Sequence, residues 1–334
     1  YMIILYNIYV FINKLDIKKE GYMINIHKFY SEKVNSITHV APHHADEVFA
    51  TAMLSVLFPV ELFRTRDQEI IENTKAIVYD VGGEFDPIRK RFDHHQKSFS
   101  EIRDDGISYS SAGLIWREYG ASIVKSMAKT RPIDGVMTAE VVSLVDEALI
   151  RGIDAGDNGQ GEKGDSMSVS SVISACNSLW GENEDADMCF LRACDLATAI
   201  LVREIKVAIS TVRGRKLVAD KIKTVDGPIL IMDQFIGGWL EEVLHVDSPK
   251  AAGLLFAVFP ATNGDWNIQA IPPSKEDTMG QRKSFPDAWR GLNDEELIES
   301  SGVGTAVFCH KAGFFAVAKT KEDAIKLAEK AVSS

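Results

Sequence analysis

Residues 36–58 read SITHVAPHHADEVFATAMLSVLF, and this stretch decides the fold. A short apolar run, Ser36 to Val40, ends in a polar turn. From Asp46 to Phe58 the apolar residues Val48, Phe49, Met53, Leu54 and Leu57 then recur on one helical side. A strand that feeds a helix in this way belongs to an alternating α/β domain. Working outward, KAIVYDVGG (residues 75–83) holds a second strand, Ala76 to Val81, stopped by paired glycines. Ser110 and Ser111 can cap a helix running through Leu114 and Trp116 to Tyr119, and Thr138 to Ile150 is a further amphipathic helix. A long helical stretch from about Ala186 to Lys223, interrupted near Gly214, ends at the turn Asp226-Gly227-Pro228. Strands follow near Ile229 to Met232, Gly253 to Phe259, Trp266 to Ile271 and Ala306 to Cys309, with a closing helix from Thr320 to Ala331. The expected organisation is an extension or disordered segment over residues 1–27, a first α/β domain with its long helix over 28–225, and a smaller α/β domain over 226–334.

The chain has 334 residues, 46% apolar and 25% charged, which fits a folded two-domain enzyme and argues against disorder or a disulfide scaffold. Cys176, Cys189, Cys194 and Cys309 form no CxxC pair, so a reducing cytoplasm is the default compartment. The net charge of −11 repels nucleic acid as a whole, and such a substrate needs a local basic patch. Arg203 to Lys223 is a basic stretch that reads first as a solvated helix face, and Trp266 and Trp289 read as core. Met2 to Asn13 is apolar but too short to span a bilayer and lacks the basic start of a signal peptide, so no membrane association is expected.

Five of the eight histidines fall between positions 39 and 95, each near an aspartate at a strand end or in the turn after it. Ligands of open α/β sheets bind at the carboxyl ends of strands, so THVAPHHADE (38–47), VYD (78–80) and FDHH (92–95) can converge on one crevice. Mixed imidazole and carboxylate ligands without thiolate suit divalent cations, two Mn²⁺ ions foremost, with Mg²⁺ or another divalent ion as substitutes. Two ions held about 3.5 to 4 Å apart need a bridging carboxylate, and Asp80 is best placed to be one. Without cations, crowded carboxylates and imidazoles disturb one another's ionisation. Asp93 is a candidate hydrogen-bond partner for a metal-bound His94, and His95 for touching phosphate or protonating a leaving oxygen.

The order HxxxxHxDE, an Asp closing an apolar strand, DHH, then DAxDNG resembles the Myg family of DHH-like metal-dependent hydrolases, named for the melanocyte proliferating gene product. The likeness runs from Thr38 to the chain's end through THVAPHHADE, VYDVGGEFDP, RFDHHQKSF, SSAGLIWREYG, DAGDNG, WNIQAIP, RKSFPDAWRGL and CHKAGF. It implies a DHH-phosphoesterase-like α/β fold: a parallel-sheet catalytic domain, with a smaller substrate-binding domain across a cleft. It further implies that His39, His44 and Asp80 hold one metal, and Asp46, Asp80, His94 and Asp154 the other. Asp157 competes with Asp154, which is preferred because Asp157-Asn158-Gly159 also reads as turn chemistry. His310, Arg282 and Arg290 are implied to bind phosphate. His43 is given no role.

The activity expected is phosphodiester hydrolysis by metal-activated water, and the resemblance alone implies RNA or short oligonucleotides cut from the 3′ end. One alternative is a small phosphorylated substrate such as a dinucleotide or pyrophosphate; another is a metal-stabilised binding protein without turnover. The oligomeric state is left open, a homodimer included.

Overall fold

A computed structural model describes residues 22–161 and 167–334; the expected extension, as far as residue 21, lies outside them. The chain forms two compact units, one running to Ile209 and the other spanning Ser210–Ser334. That division falls inside the long helix, upstream of the turn at 226–228 where the sequence suggests a boundary.

The first unit is built on β1 (Ile24–His27), β2 (Ser36–Thr38), α1 (Ala45–Ser55), β3 (Val60–Arg64), α2 (Gln68–Asn73), β4 (Ile77–Tyr79), β5 (Phe85–Asp86) and β6 (Arg91–Phe92). The sheet has the order β1-β3-β2-β4-β6-β5, and every pairing is parallel except β5 with β6. β1 pairs Ile24 with Val60 and His27 with Phe63, so the sheet begins before the domain start expected at residue 28. Strands β2 and β4 are buried along their whole length, as expected for a parallel sheet covered on both faces. From β2 the chain crosses to β3 on one side and then to β4 on the other. β2 therefore marks the switch point, and a crevice opens beyond its carboxyl end.

Helices α3 (Ser111–Met127), α4 (Gly135–Val145), α5 (Arg151–Asp157) and α6 (Val169–Ser174) complete this unit with the start of α7 (Ala186–Thr224). A π-helical turn, Asp146–Ile150, joins α4 to α5 without a break. The helix expected over Thr138 to Ile150 thus starts earlier and continues to Asp157, where Asn158 and the positive-φ Gly159 end it. Ser110 takes the N-cap position of α3, yet its hydroxyl bonds the Asp154 carboxylate and no helix N–H.

Helix α7 is continuous, so the interruption expected at Gly214 does not occur. A β-carbon there would lie 2.5 Å from the Gly237 carbonyl oxygen and 2.9 Å from Ile236 Cγ2. Glycine is present for close approach, and the helix carries its usual cost of about 1 kcal/mol relative to alanine.

The second unit contains β7 (Ile229–Ile231), α8 (Trp239–His245), α9 (Pro249–Gly253), β8 (Phe256–Pro260), β9 (Trp266–Ala270), α10 (Asp294–Ser301), β10 (Ala306–Cys309), β11 (Phe315–Ala318) and α11 (Lys321–Ser333). Its sheet runs β10-β11-β9-β8-β7, antiparallel except for β7 with β8. Strand β8 starts at Phe256 because Gly253, expected within it, closes α9. Alternate β8 residues serve two cores: Phe256 and Val258 pack with Leu327 and Ala328 of α11, and Ala257 and Phe259 with Val218, Ile222 and Trp239. Trp289 is buried in the first of these cores and Trp266 packs against it, as read from sequence. Among the described residues no helix is long and apolar enough to cross a membrane, and the four cysteines are free thiols.

Gly214→Ala is expected to destabilise the protein by about 1 to 3 kcal/mol through overpacking, against the gain that helix propensity alone predicts. Urea unfolding measures the sign; an alanine variant as stable as the parent would refute the close-approach account.

Candidate metal centre at the carboxyl edge of the parallel sheet

Each of the three motif segments begins where a strand ends. His39 follows β2, Asp80 follows β4, and Asp93 to His95 follow β6. Asp80 takes a left-handed backbone conformation (φ 58°), uncommon for a non-glycine residue and of the kind that clusters at functional sites. His44 is the N-cap residue of α1, and its backbone N–H donates to both carboxylate oxygens of Glu47, 3.0 Å each. Asp46 and Glu47 thus occupy the first turn of α1, where the helix dipole favours negative charge.

His39 is buried. Its Nδ1–H donates to the Val40 carbonyl at 2.6 Å, which fixes the tautomer and turns Nε2 towards Asp80 Oδ2 at 3.1 Å and Glu47 Oε1 at 3.2 Å. Burial lowers the proton affinity of this imidazole, but the hydrogen bonds to Asp80 and Glu47 outweigh it and push the pKa up to about 10. Burial likewise opposes ionisation of Asp80, but the His39 and His94 contacts prevail and hold its carboxyl below the usual range. Asp46 is fully buried, and neither of its carboxylate oxygens has a hydrogen-bond partner among the described residues. Burial, then the neighbouring Asp80, Asp157 and Glu47 carboxylates, push its pKa well up. His94 Nε2 lacks a hydrogen bond too, yet it stands 3.3 Å from Asp157, 3.4 Å from Asp80 and 3.7 Å from Asp46.

These atoms form three overlapping groups able to hold a cation: His39, His44, Glu47 and Asp80; Asp80, His94 and His95; and His44, Asp46 and Asp157. Asp80 is common to the first two and His44 to the first and third. Unpartnered buried carboxylate oxygens beside an unpartnered imidazole nitrogen suit a divalent ion, because burial otherwise opposes both charge and orphaned polarity. The cluster borders two cavities that share His44 and His95. One, about 420 Å³, also contacts His39, Asp80 and Asp93; the other, about 490 Å³, contacts His94, Asp157 and Ser174. A larger cavity of about 710 Å³ lies by Asn35, Ala76 and Lys90, at the opposite ends of the strands, away from these groups.

The structure brings His39, His44, Asp46, Asp80 and His94 together, but not Asp154. Asp154 is buried and accepts from the Ser110 hydroxyl (2.6 Å), the Ser110 and Gly113 N–H groups (3.1 Å each) and Arg103 Nε (2.8 Å). Gly113 must lack a side chain, since a β-carbon there would collide with that carboxylate. Asp157, one helical turn later, faces the cluster instead. Asp93 is also placed differently from expectation: its Oδ1 bonds the ring of His95 at 2.7 Å and the backbone N–H of His94, while Oδ2 accepts from Gly83. The Asp93 hydrogen bond raises the His95 pKa. Glu47, which the sequence reading assigned no role, is the added acidic member; its spacing three residues after the cap was the available signal. His43 is buried, and its Nε2–H donates to the Ile173 carbonyl, tying the loop to α6.

In the second unit, Arg282 donates from Nε to the Pro272 carbonyl and from one terminal nitrogen to those of Ala251, Ala252 and Leu254. Arg282 thus ties down α9 and commits most of its fork to backbone. Arg290 donates to the Phe285 carbonyl, pairs with Asp287 at 2.8 Å and lies against Gly313, within the turn that His310 opens. His310 Nδ1 accepts from the Ala312 N–H, and its ring is 4.6 Å from that of Phe314.

A family model described as MYG1_exonuc, an uncharacterised protein family (UPF0160), matches residues 35–332. A MYG1 protein of Schizosaccharomyces pombe is 31% identical over 319 residues, covering 90% of this chain and 97% of its own. A protein named MYG1 exonuclease from Homo sapiens is 31% identical, covering 87% of this chain and 84% of its own. A solved structure titled pGpG-specific phosphodiesterase overlaps with a TM-score of 0.27 at 12% identity, covering 90% of this chain and 97% of that one. With a match of that extent and relatives of near-full coverage at this identity, the chain belongs to the MYG1 family.

Proposed function

We propose that the protein is a divalent-metal-dependent phosphoesterase acting as a 3′ to 5′ exonuclease on RNA or short oligonucleotides. The observation that carries the reading is the buried Asp46 carboxylate, unpartnered on both oxygens and facing His94 at the mouth of the sheet. The exonuclease name borne by relatives supports a nucleic-acid substrate.

In this reading His39, His44, Glu47 and Asp80 would hold one ion, and Asp46, Asp80, His94 and Asp157 would hold the second. Asp157 replaces the Asp154 of the sequence expectation, because Asp154 is saturated by Ser110, Gly113 and Arg103. When bound, such ions lower the pKa of coordinated water and neutralise phosphoryl charge; Mn²⁺ is the proposed metal. The protein's own groups do the rest. The Val40 carbonyl fixes His39, and Glu47 holds the start of α1 while facing His39. Asp93 orients His95 and favours its protonated form, leaving Nε2 to touch a phosphate oxygen or to protonate the leaving oxygen.

Asp80→Asn is expected to abolish hydrolysis of end-labelled single-stranded RNA while circular dichroism still reports a folded chain. The parent should release mononucleotides as a ladder from the 3′ end. Intact RNA beside a hydrolysed dinucleotide or pyrophosphate would reject the exonuclease assignment.

Asp157→Asn should weaken Mn²⁺ binding at least tenfold in calorimetric titration with little change in melting temperature. Asp154→Asn should do the reverse, costing about 1 to 3 kcal/mol of stability by removing one of the two carboxylate partners of Arg103 and weakening the bonds from Ser110 and Gly113. Interchanged phenotypes would return the ligand role to Asp154.

Chelated protein should lose stability as pH rises from 5 to 8. The raised pKa values of Asp46 and Asp157 mean that the fold is favoured below the ordinary carboxylate range and disfavoured as these groups ionise. The stabilisation conferred by His39 fades in the same direction above its ordinary value of 6.5. The gain in melting temperature on adding Mn²⁺ should therefore grow with pH; a gain independent of pH would contradict the linkage.

A further inference from the structure

The geometry points to Arg66 as a substrate-phosphate-binding residue supplied by the first unit itself, beside the proposed metals. The inference deepens the phosphoesterase reading and rests on it. Strand β3 lies next to β2, with Arg64 in register with Thr38 and the Thr65 N–H bonded to the Thr38 carbonyl at 2.8 Å. Arg64 also donates from Nε to the His39 carbonyl. The chain after β3 is thereby fastened to the segment carrying His39, and Arg66 emerges at the same carboxyl edge.

Arg66 lines the 420 Å³ cavity with His39, His44, Asp80 and His95. It is the one lysine or arginine among the described residues that line either cavity beside the cluster. Other arginines near the cluster are committed: Arg64 bonds Ala186 and Asp187 and stacks on Phe190, and Arg103 holds Asp146 and Asp154. Arg66 makes no hydrogen bond or ion pair among the described residues and is exposed. An exposed, unpaired arginine is ordinarily a solvated surface group; its cavity makes the difference here.

The charge count gives the cavity its ligand. Asp46, Glu47, Asp80 and Asp157 carry four negative charges when ionised, which two divalent ions balance, leaving little surplus for an incoming phosphodiester. A guanidinium at the rim supplies that surplus and can pair with two phosphate oxygens at once. The chemical class is a phosphoryl group on a nucleotide, read by charge and not by base.

The test uses the full Mn²⁺-loaded chain and titrates adenosine 5′-monophosphate against adenosine. Arg66→Ala should weaken the nucleotide by about tenfold to a hundredfold while leaving adenosine unchanged. Arg66→Lys should recover part of the loss. Mn²⁺ affinity and melting temperature should match the parent, since Arg66 holds neither metal nor fold. Lys90→Ala, at the opposite ends of the strands, serves as the control and should leave nucleotide binding alone. Nucleotide binding unchanged in Arg66→Ala overturns the inference and spares the phosphoesterase reading. A Mn²⁺-loaded parent that binds no nucleotide overturns both.

Discussion

Four acidic side chains forced towards one point at the ends of parallel strands constitute the problem that the first unit is built around. Burial alone makes each carboxylate costly to ionise, and like charges nearby add to the cost. The polypeptide answers in part. His39 is drawn between Asp80 and Glu47, and the first turn of α1 offers its dipole to Asp46 and Glu47. Those devices leave both oxygens of Asp46 unpartnered. A divalent cation, bound as proposed, would supply what the chain itself does not.

Around this centre the supporting contacts fix orientation and leave the chemistry to others. The Val40 carbonyl selects the His39 tautomer, Asp93 aims His95, and Asn177 pairs with both backbone groups of His43, securing the ligand loop against the residues after α6. Asp154 belongs to this class. It joins the start of α3 to α5 and Arg103, so one aspartate of the DAGDNG motif serves as a strut while its neighbour one turn on faces the cluster.

The α/β pattern and the cluster's strand-end members were legible because the side chains that converge there coincide with changes in hydrophobic period: His39 as β2 ends, Asp80 before the paired glycines, and His94 after β6. Which of Asp154 and Asp157 faces the cluster was not legible, since both lie on α5 and their facing depends on a preceding π-turn and on Arg103, far away in sequence. The absence of a break at Gly214 was hidden for a similar reason: the backbone that requires glycine there comes from Gly237. Strands β1 and β3 were missed because INIH and VELFR mix charged and polar residues into short runs. The backbone partners of Arg282 were hidden because carbonyl contacts leave no mark on a sequence.

The wide turn at Asp146–Ile150 makes the number of residues there matter more than their kind. A π-turn is an α-helical segment carrying one residue too many, and regular winding advances about 100° per residue. A chain one residue shorter at this place would wind evenly and swing the whole Asp154 to Asp157 face around the axis, away from Ser110, Gly113 and His94. Exposed Glu147 and Ala148 can vary in chemistry, whereas the segment's length sets which face of α5 carries Asp154 and Asp157 to their present neighbours.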